Sequence, residues 1–121
     1  MESEKLARLC HEYADRKKAL DIVIIDLRGV ADVADFFVIV SGSSDPHLRA
    51  IVSELDGGLT KDHGNKCQRI DGDHHSGWIA MDYFDVIVHV MRDDLRSNYD
   101  LEGLWSDATR LDISTPVPTK A

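Results

Sequence analysis

The stretch Gly77-Trp78-Ile79-Ala80-Met81-Asp82-Tyr83-Phe84-Asp85-Val86-Ile87-Val88-His89-Val90-Met91 decides the fold. It reads as two strands meeting at a turn. Side chains in a strand alternate between faces, so Trp78, Ala80 and Asp82 point one way and Ile79, Met81 and Tyr83 the other. Each face carries a large apolar or aromatic group. One face belongs in the core, and the other exposes a bulky ring unless a helix or another molecule covers it.

Upstream of this hairpin, residues 20–27 contain Ile22-Val23-Ile24-Ile25, a β-branched run expected of a strand covered on both faces. Phe36-Phe37-Val38-Ile39-Val40 predicts a second buried strand, and residues 67–70 a short third one. Two helices frame these strands. Leu6, Leu9, Cys10 and Tyr13 fall at i, i+3, i+4 and i+7 within residues 4–18, which makes one apolar stripe. Leu48, Ile51, Val52, Leu55 and Leu59 trace another, with Asp45 as expected N-cap, Pro46 as first helical residue and a stop by Gly64.

Asp71-Gly72-Asp73-His74-His75-Ser76-Gly77 reads as a polar loop, and residues 92–98 as a loop or single helical turn. Ser97 and Asp100 have capping-box spacing before a helix with Leu101, Leu104, Trp105 and Ala108 on one stripe. The sum is a single mixed α/β domain over residues 1–111, with a sheet of about five strands covered by helices. Residues 112–121, with Pro116 and Pro118, read as a flexible tail.

The chain has 121 residues, enough for one core, with 43% apolar and 30% charged residues as in soluble globular proteins. No run approaches the ~20 apolar residues of a membrane span. The N-terminal residues lack the basic start and apolar core of a signal peptide, and Cys10 and Cys67 match neither a disulfide framework nor a zinc pattern. A reducing cytosol is the expected compartment. The net charge of −8, from 22 acidic against 14 basic residues, argues against direct nucleic-acid binding, which relies on Lys and Arg displacing counterions. It suits a basic partner.

Candidate chemistry is sparse. Ser41-Gly42-Ser43-Ser44-Asp45, between a strand and a helix, offers backbone amides to a phosphate but lacks the P-loop Lys and Gly spacing. Gly42-Ser43 followed by Glu54-Leu55-Asp56 superficially meets the nucleotidyltransferase pattern. Two-metal catalysis needs both carboxylates aimed at the same metals, however, and Glu54 and Asp56 diverge if Leu55 lies on a helical stripe. His74 and His75 with Asp71, Asp73 and His89 lack metal-ligand spacing. Cys10 lies on a core stripe, no serine sits in a nucleophile elbow, and Asp26, Asp35, Asp82 and Asp85 suit turns. No enzyme is legible, and no cofactor or metal site. What remains is the aromatic hairpin, since Trp and Tyr are enriched at binding hot spots.

At these residues the chain resembles the ribosomal silencing factor, or Iojap-like, family. The resemblance is carried by Ala34-Asp35-Phe36-Phe37-Val38-Ile39-Val40-Ser41-Gly42-Ser43-Ser44-Asp45 with His47, by Gly77-Trp78 through Asp82-Tyr83, by Asp85-Val86-Ile87-Val88-His89-Val90-Met91, and by Tyr99-Asp100-Leu101-Glu102 with Leu104-Trp105. It spans about residues 3–108 and implies a nucleotidyltransferase-like fold without the activity. It also implies a repressor that binds the fourteenth protein of the large ribosomal subunit, blocks subunit joining and damps translation when nutrients run short. The partner-binding residues expected on that basis are Asp71, Trp78, Met81, Asp82 and Tyr83. A homodimer is left open, and the competing reading is a nucleotide-binding or nucleotidyltransferase-like enzyme using the Ser41-to-Asp45 loop. Two departures stand out: Phe84 occupies a turn position where the family usually has Gly, and Asn98 replaces the usual aromatic before Tyr99. A regular strand puts Trp78 and Tyr83 on opposite faces, so a flat patch cannot use both fully.

Overall fold

The apolar runs become a six-stranded mixed sheet in a computed structural model, which describes residues 2–111. In chain order the elements are α1 (Ser3–Arg16), β1 (Leu20–Asp26), β2 (Phe36–Gly42), α2 (Asp45–His63), β3 (Arg69–Asp73), β4 (Trp78–Asp82) and β5 (Val86–Arg92). They are followed by α3 (Asp93–Tyr99), a single turn α4 (Leu101–Leu104) and β6 (Thr109–Leu111). The strand order is β3-β4-β5-β2-β1-β6. β2 and β5 run parallel at the centre, and every other neighbouring pair is antiparallel. The expected tail lies outside the described residues.

Period-2 alternation sorts the strand residues into two cores. Phe36, Val38, Val40, Val86, Val88, Val90, Ile79, Met81 and Ile24 face α1 and α2 and pack on Leu6, Cys10, Tyr13, Leu48, Ile51, Leu55 and Leu59. Ile25, Phe37, Ile39 and Met91 face the other way, into a smaller core with Leu27 and Ala34. Leu101, Trp105 and Ala108 pack on that smaller core. Two long helices therefore cover one face except at the β3 edge, where Ile70 is exposed, while short segments cover only part of the other.

Both helical stripes fold as expected. Gly64 ends α2 in the left-handed region at φ +66, where its N–H returns to the Thr60 carbonyl. Gly58 stays inside α2 because it lies against Tyr13: a Cβ there would sit 2.8 Å from the ring.

Several local expectations are corrected. The sheet has six strands rather than five, because residues 109–111 pair with Ile24, Ile25 and Asp26. Three residues give no readable period; their strand exists through the edge they join. β3 lies at Arg69–Asp73 rather than 67–70, so Asp71, Gly72 and Asp73 of the expected polar loop are strand. Gly72 fits there because its φ is +82 and a Cβ would run into the Trp78 carbonyl. The run Ile22 to Ile25 is covered on both faces as expected, Ile22 and Ile24 toward one core and Val23 and Ile25 toward the other, and only Leu20 and Asp21 at the start of β1 are exposed.

The N-cap of α2 is Ser44, whose hydroxyl accepts from the His47 amide at 3.2 Å, with Asp45 already helical. α3 is a seven-residue helix, not a loop or single turn. The expected helix after Ser97 is interrupted at Asp100, whose φ of +33 breaks the path and whose carboxylate caps α4 through the Gly103 amide.

Candidate functional site

The hairpin's question of faces is answered by register. Ile79 and Met81 face the two long helices and are buried, as is Tyr83 just beyond the strand. Trp78, Ala80 and Asp82 face the opposite way. Their direct partners across the ladder are Asp73, Asp71 and Arg69 on edge strand β3, which is exposed along its length. On the inner side they meet Met91, His89 and Ile87 of β5. Half of this face, over β3, β4 and the flank of β5, lacks the cover that Leu101, Trp105 and Ala108 give to the rest.

Of the five expected contact residues, three lie on this open half: Asp71, Trp78 and Asp82. Met81 and Tyr83 do not. They belong to the helix-facing core, because a period-2 strand cannot present Trp78 and Tyr83 to one surface. Burial pushes the Tyr83 phenol up, and its hydroxyl has no hydrogen-bond partner among the described residues. Their role toward any contact is to hold the strand that carries Trp78.

The structure adds residues that were not among the five expected contact residues. Tyr99, at the end of α3, lies against Trp78 with ring centroids 4.6 Å apart and planes at 51°, and is 50% exposed. Trp78, Tyr99, Ala80, Asp71, Gly72 and Ser76 line a shallow hollow of about 270 Å³. Leu104, on the neighbouring turn, is 70% exposed. Beneath the indole, His89 is largely buried; its Nδ1 accepts from Trp78 Nε1 at 3.1 Å. Burial lowers its pKa to about 4, so it is neutral at physiological pH. Phe37 packs edge-on to it at 4.6 Å.

Charge on the open half is lightly held. Asp71 pairs with Arg69 at 3.0 Å, but both side chains are mostly in solvent, where such pairs contribute ~0–1 kcal/mol. Asp82 receives the Phe84 amide at 2.7 Å, which fixes the turn. A partner's cation can replace Arg69 at small cost. The surface is aromatic and flanked by carboxylates.

The loop Ser41-Gly42-Ser43-Ser44-Asp45 is closed on itself. The Ser43 amide donates to His47 Nδ1 at 2.9 Å, so that ring donates from Nε2 to the Lys17 carbonyl at 2.7 Å. Asp45 brings its own carboxylate to the helix N-terminus and pairs with Arg92 at 3.0 Å. Ser41 is buried and accepts from Arg96. Glu54 pairs with Arg16 at 3.6 Å while Leu55 is buried, so Glu54 and Asp56 diverge around a helix. The rings of His74 and His75 stack at 4.1 Å; one meets Arg49, the other Asp45. Cys10 is buried, which pushes its thiol far up and away from a reactive thiolate.

The family model described as "Ribosomal silencing factor during starvation" matches residues 1–121. The chain belongs to this family. A ribosomal silencing factor from Halalkalibacterium halodurans is 34% identical over 93% of this chain and 96% of its own length. The mouse protein named mitochondrial assembly of ribosomal large subunit protein 1 is 32% identical over 75% of this chain and 41% of its own. Among solved structures, a crystal structure of a Chromobacterium violaceum protein superposes with a TM-score of 0.81 at 29% identity, covering 88% of both chains. Membership sets the chain among ribosomal silencing factors, regulators of translation. Among the described residues no helix is long and apolar enough to cross a membrane.

Proposed function

We propose that this ribosomal silencing factor acts by steric occlusion, with no chemical step. The open half of its sheet docks on the fourteenth protein of the large ribosomal subunit, in the cytoplasm, and keeps the small subunit from joining when nutrients run short. The observation that carries the reading is the ring pair of partly buried Trp78 and half-exposed Tyr99 beside Asp71 and Asp82. Aromatic anchors of this kind supply much of the energy of protein contacts, and carboxylates around them on a chain of net charge −8 suit a basic protein. The mouse relative's name supports a large-subunit partner.

The test is cosedimentation with isolated large subunits, before and after addition of small subunits. The chain should pellet with large subunits and reduce the yield of joined ribosomes. Trp78→Ala should weaken binding about 30-fold or more, as expected of a hot spot, with an unchanged circular dichroism spectrum. Unaltered binding by Trp78→Ala would remove this face from the contact. A nucleotide-binding reading has less support, since the Ser43 and His47 amides already have partners within the loop.

A further inference from the structure

We propose that the turn between β4 and β5 is a second docking point, shaped for an arginine-bearing loop of a basic protein. This rests on the large-subunit reading and extends it to the opposite end of β4. Phe84 tops that turn and is 77% exposed. Val33, on the loop between β1 and β2, is 54% exposed, and the two side chains line one hollow of about 400 Å³.

Asp32, Asp35 and Asp85 line the same hollow. None of these three carboxylates has a cation within ion-pair distance among the described residues; the charged pairs formed there run through other groups. Arg28, the cation in the lining, is already committed to Asp26 at 2.8 Å and Glu4 at 3.5 Å. The hollow is also held in shape. The Asp35 and Phe36 amides both donate to the Asp85 carbonyl, at 2.7 and 3.1 Å, so loop and turn are laced together.

An exposed aromatic face beside unpaired carboxylates suits a guanidinium. The cation stacks on the ring while its N–H fork reaches the acids. Arginine fits better than lysine because its planar group can do both at once. The same carboxylates disfavour an RNA backbone, whose phosphates would meet like charge. From Trp78 to Phe84 is roughly 20 Å along an extended chain, so one large basic surface can reach both points.

The experiment measures affinity for isolated large ribosomal subunits with the full chain, over a range of salt. Phe84→Gly removes the ring and keeps a backbone suited to the turn. It should weaken binding about three- to fivefold, the scale of an exposed cation–π contact. The Asp32→Asn, Asp35→Asn double variant should bind more weakly and lose affinity less steeply with salt. Unchanged affinity for Phe84→Gly would overturn the proposal. Tighter binding by the double variant would also overturn it, by pointing to phosphate at this face. Trp78→Ala, measured in parallel, separates the two readings. If it alone weakens binding, the sheet face stands and the turn falls; if Phe84→Gly alone does, the reverse holds.

Discussion

The indole Nε1–H of Trp78 donates to Nδ1 of His89 at 3.1 Å, which places the imidazole proton on Nε2, a buried atom without a partner among the described residues. The bond fixes the ring that dominates the open sheet face. It also requires His89 to stay neutral, because a protonated Nδ1 cannot accept.

The first prediction concerns pH. The folded pKa of His89, about 4, lies below the ordinary value of 6.5. Between those values the unfolded chain binds more protons, so stability falls as pH drops through the window and levels off below it. The loss amounts to on the order of 3 kcal/mol. His89→Phe keeps the packing on Phe37 and removes the titration. Urea unfolding at several pH values should show a shallower slope between pH 4 and 6.5 for the variant. Equal slopes would mean that His89 is not buried neutral.

A second prediction follows from the core side of the same strand. Tyr83→Phe deletes a buried hydroxyl that has no partner among the described residues, so the variant should be more stable by about 1 kcal/mol. Met81→Ala should cost about 2–5 kcal/mol by opening a cavity in the helix-facing core. Denaturant melts measure both. Loss of large-subunit binding by Tyr83→Phe at undiminished stability would contradict its place in the core.

These two residues also show what a single sequence conceals. The existence of the strands was legible because Val38, Val40, Val86, Val88 and Val90 leave no other period. Which face of β4 is core was not, since both faces carry bulky groups and the decision belongs to distant helices. Trp78 and the acids Asp71 and Asp82 could be placed on a surface only once α1 and α2 had claimed Met81 and Tyr83. Tyr99 is 21 positions from Trp78, in a segment too polar to show a helical stripe. Its contact with the indole is a product of the chain reversal after β5.

Phe84 supports a third prediction. Its φ of +78 lies in the left-handed region, which costs a bulky L-residue about 1–2 kcal/mol. Gly relieves that strain, less the extra freedom it gives the unfolded chain. Phe84→Gly should therefore raise the melting temperature, by the equivalent of about 0.5–1 kcal/mol, whereas Phe84→Ala keeps the strain and gains nothing. Comparable melting temperatures for Phe84→Gly and Phe84→Ala would show that the turn relaxes around Phe84 at no cost.

Arg96 gives the last prediction, and it connects the core to the aromatic surface. Its Nη1 donates to the buried Ser41 hydroxyl at 2.7 Å and its Nε to Glu102 at 2.9 Å, so one side chain ties α3 to β2 and α4. The guanidinium is nearly buried, and removing it takes the donor from the buried Ser41 hydroxyl and leaves Glu102 with the more distant Arg110 at 3.9 Å. Arg96→Met keeps the aliphatic stem and should destabilise the chain by roughly 2 kcal/mol. Tyr99 lies three residues further along the same helix, so loosening α3 should also loosen its contact with Trp78. In a Trp105→Phe background, which leaves Trp78 as the sole tryptophan, Arg96→Met should shift the emission of Trp78 toward the red before global unfolding begins. An unaltered spectrum together with an unaltered melting temperature would show that α3 is held by its backbone alone and that Arg96 has no part in presenting the aromatic pair.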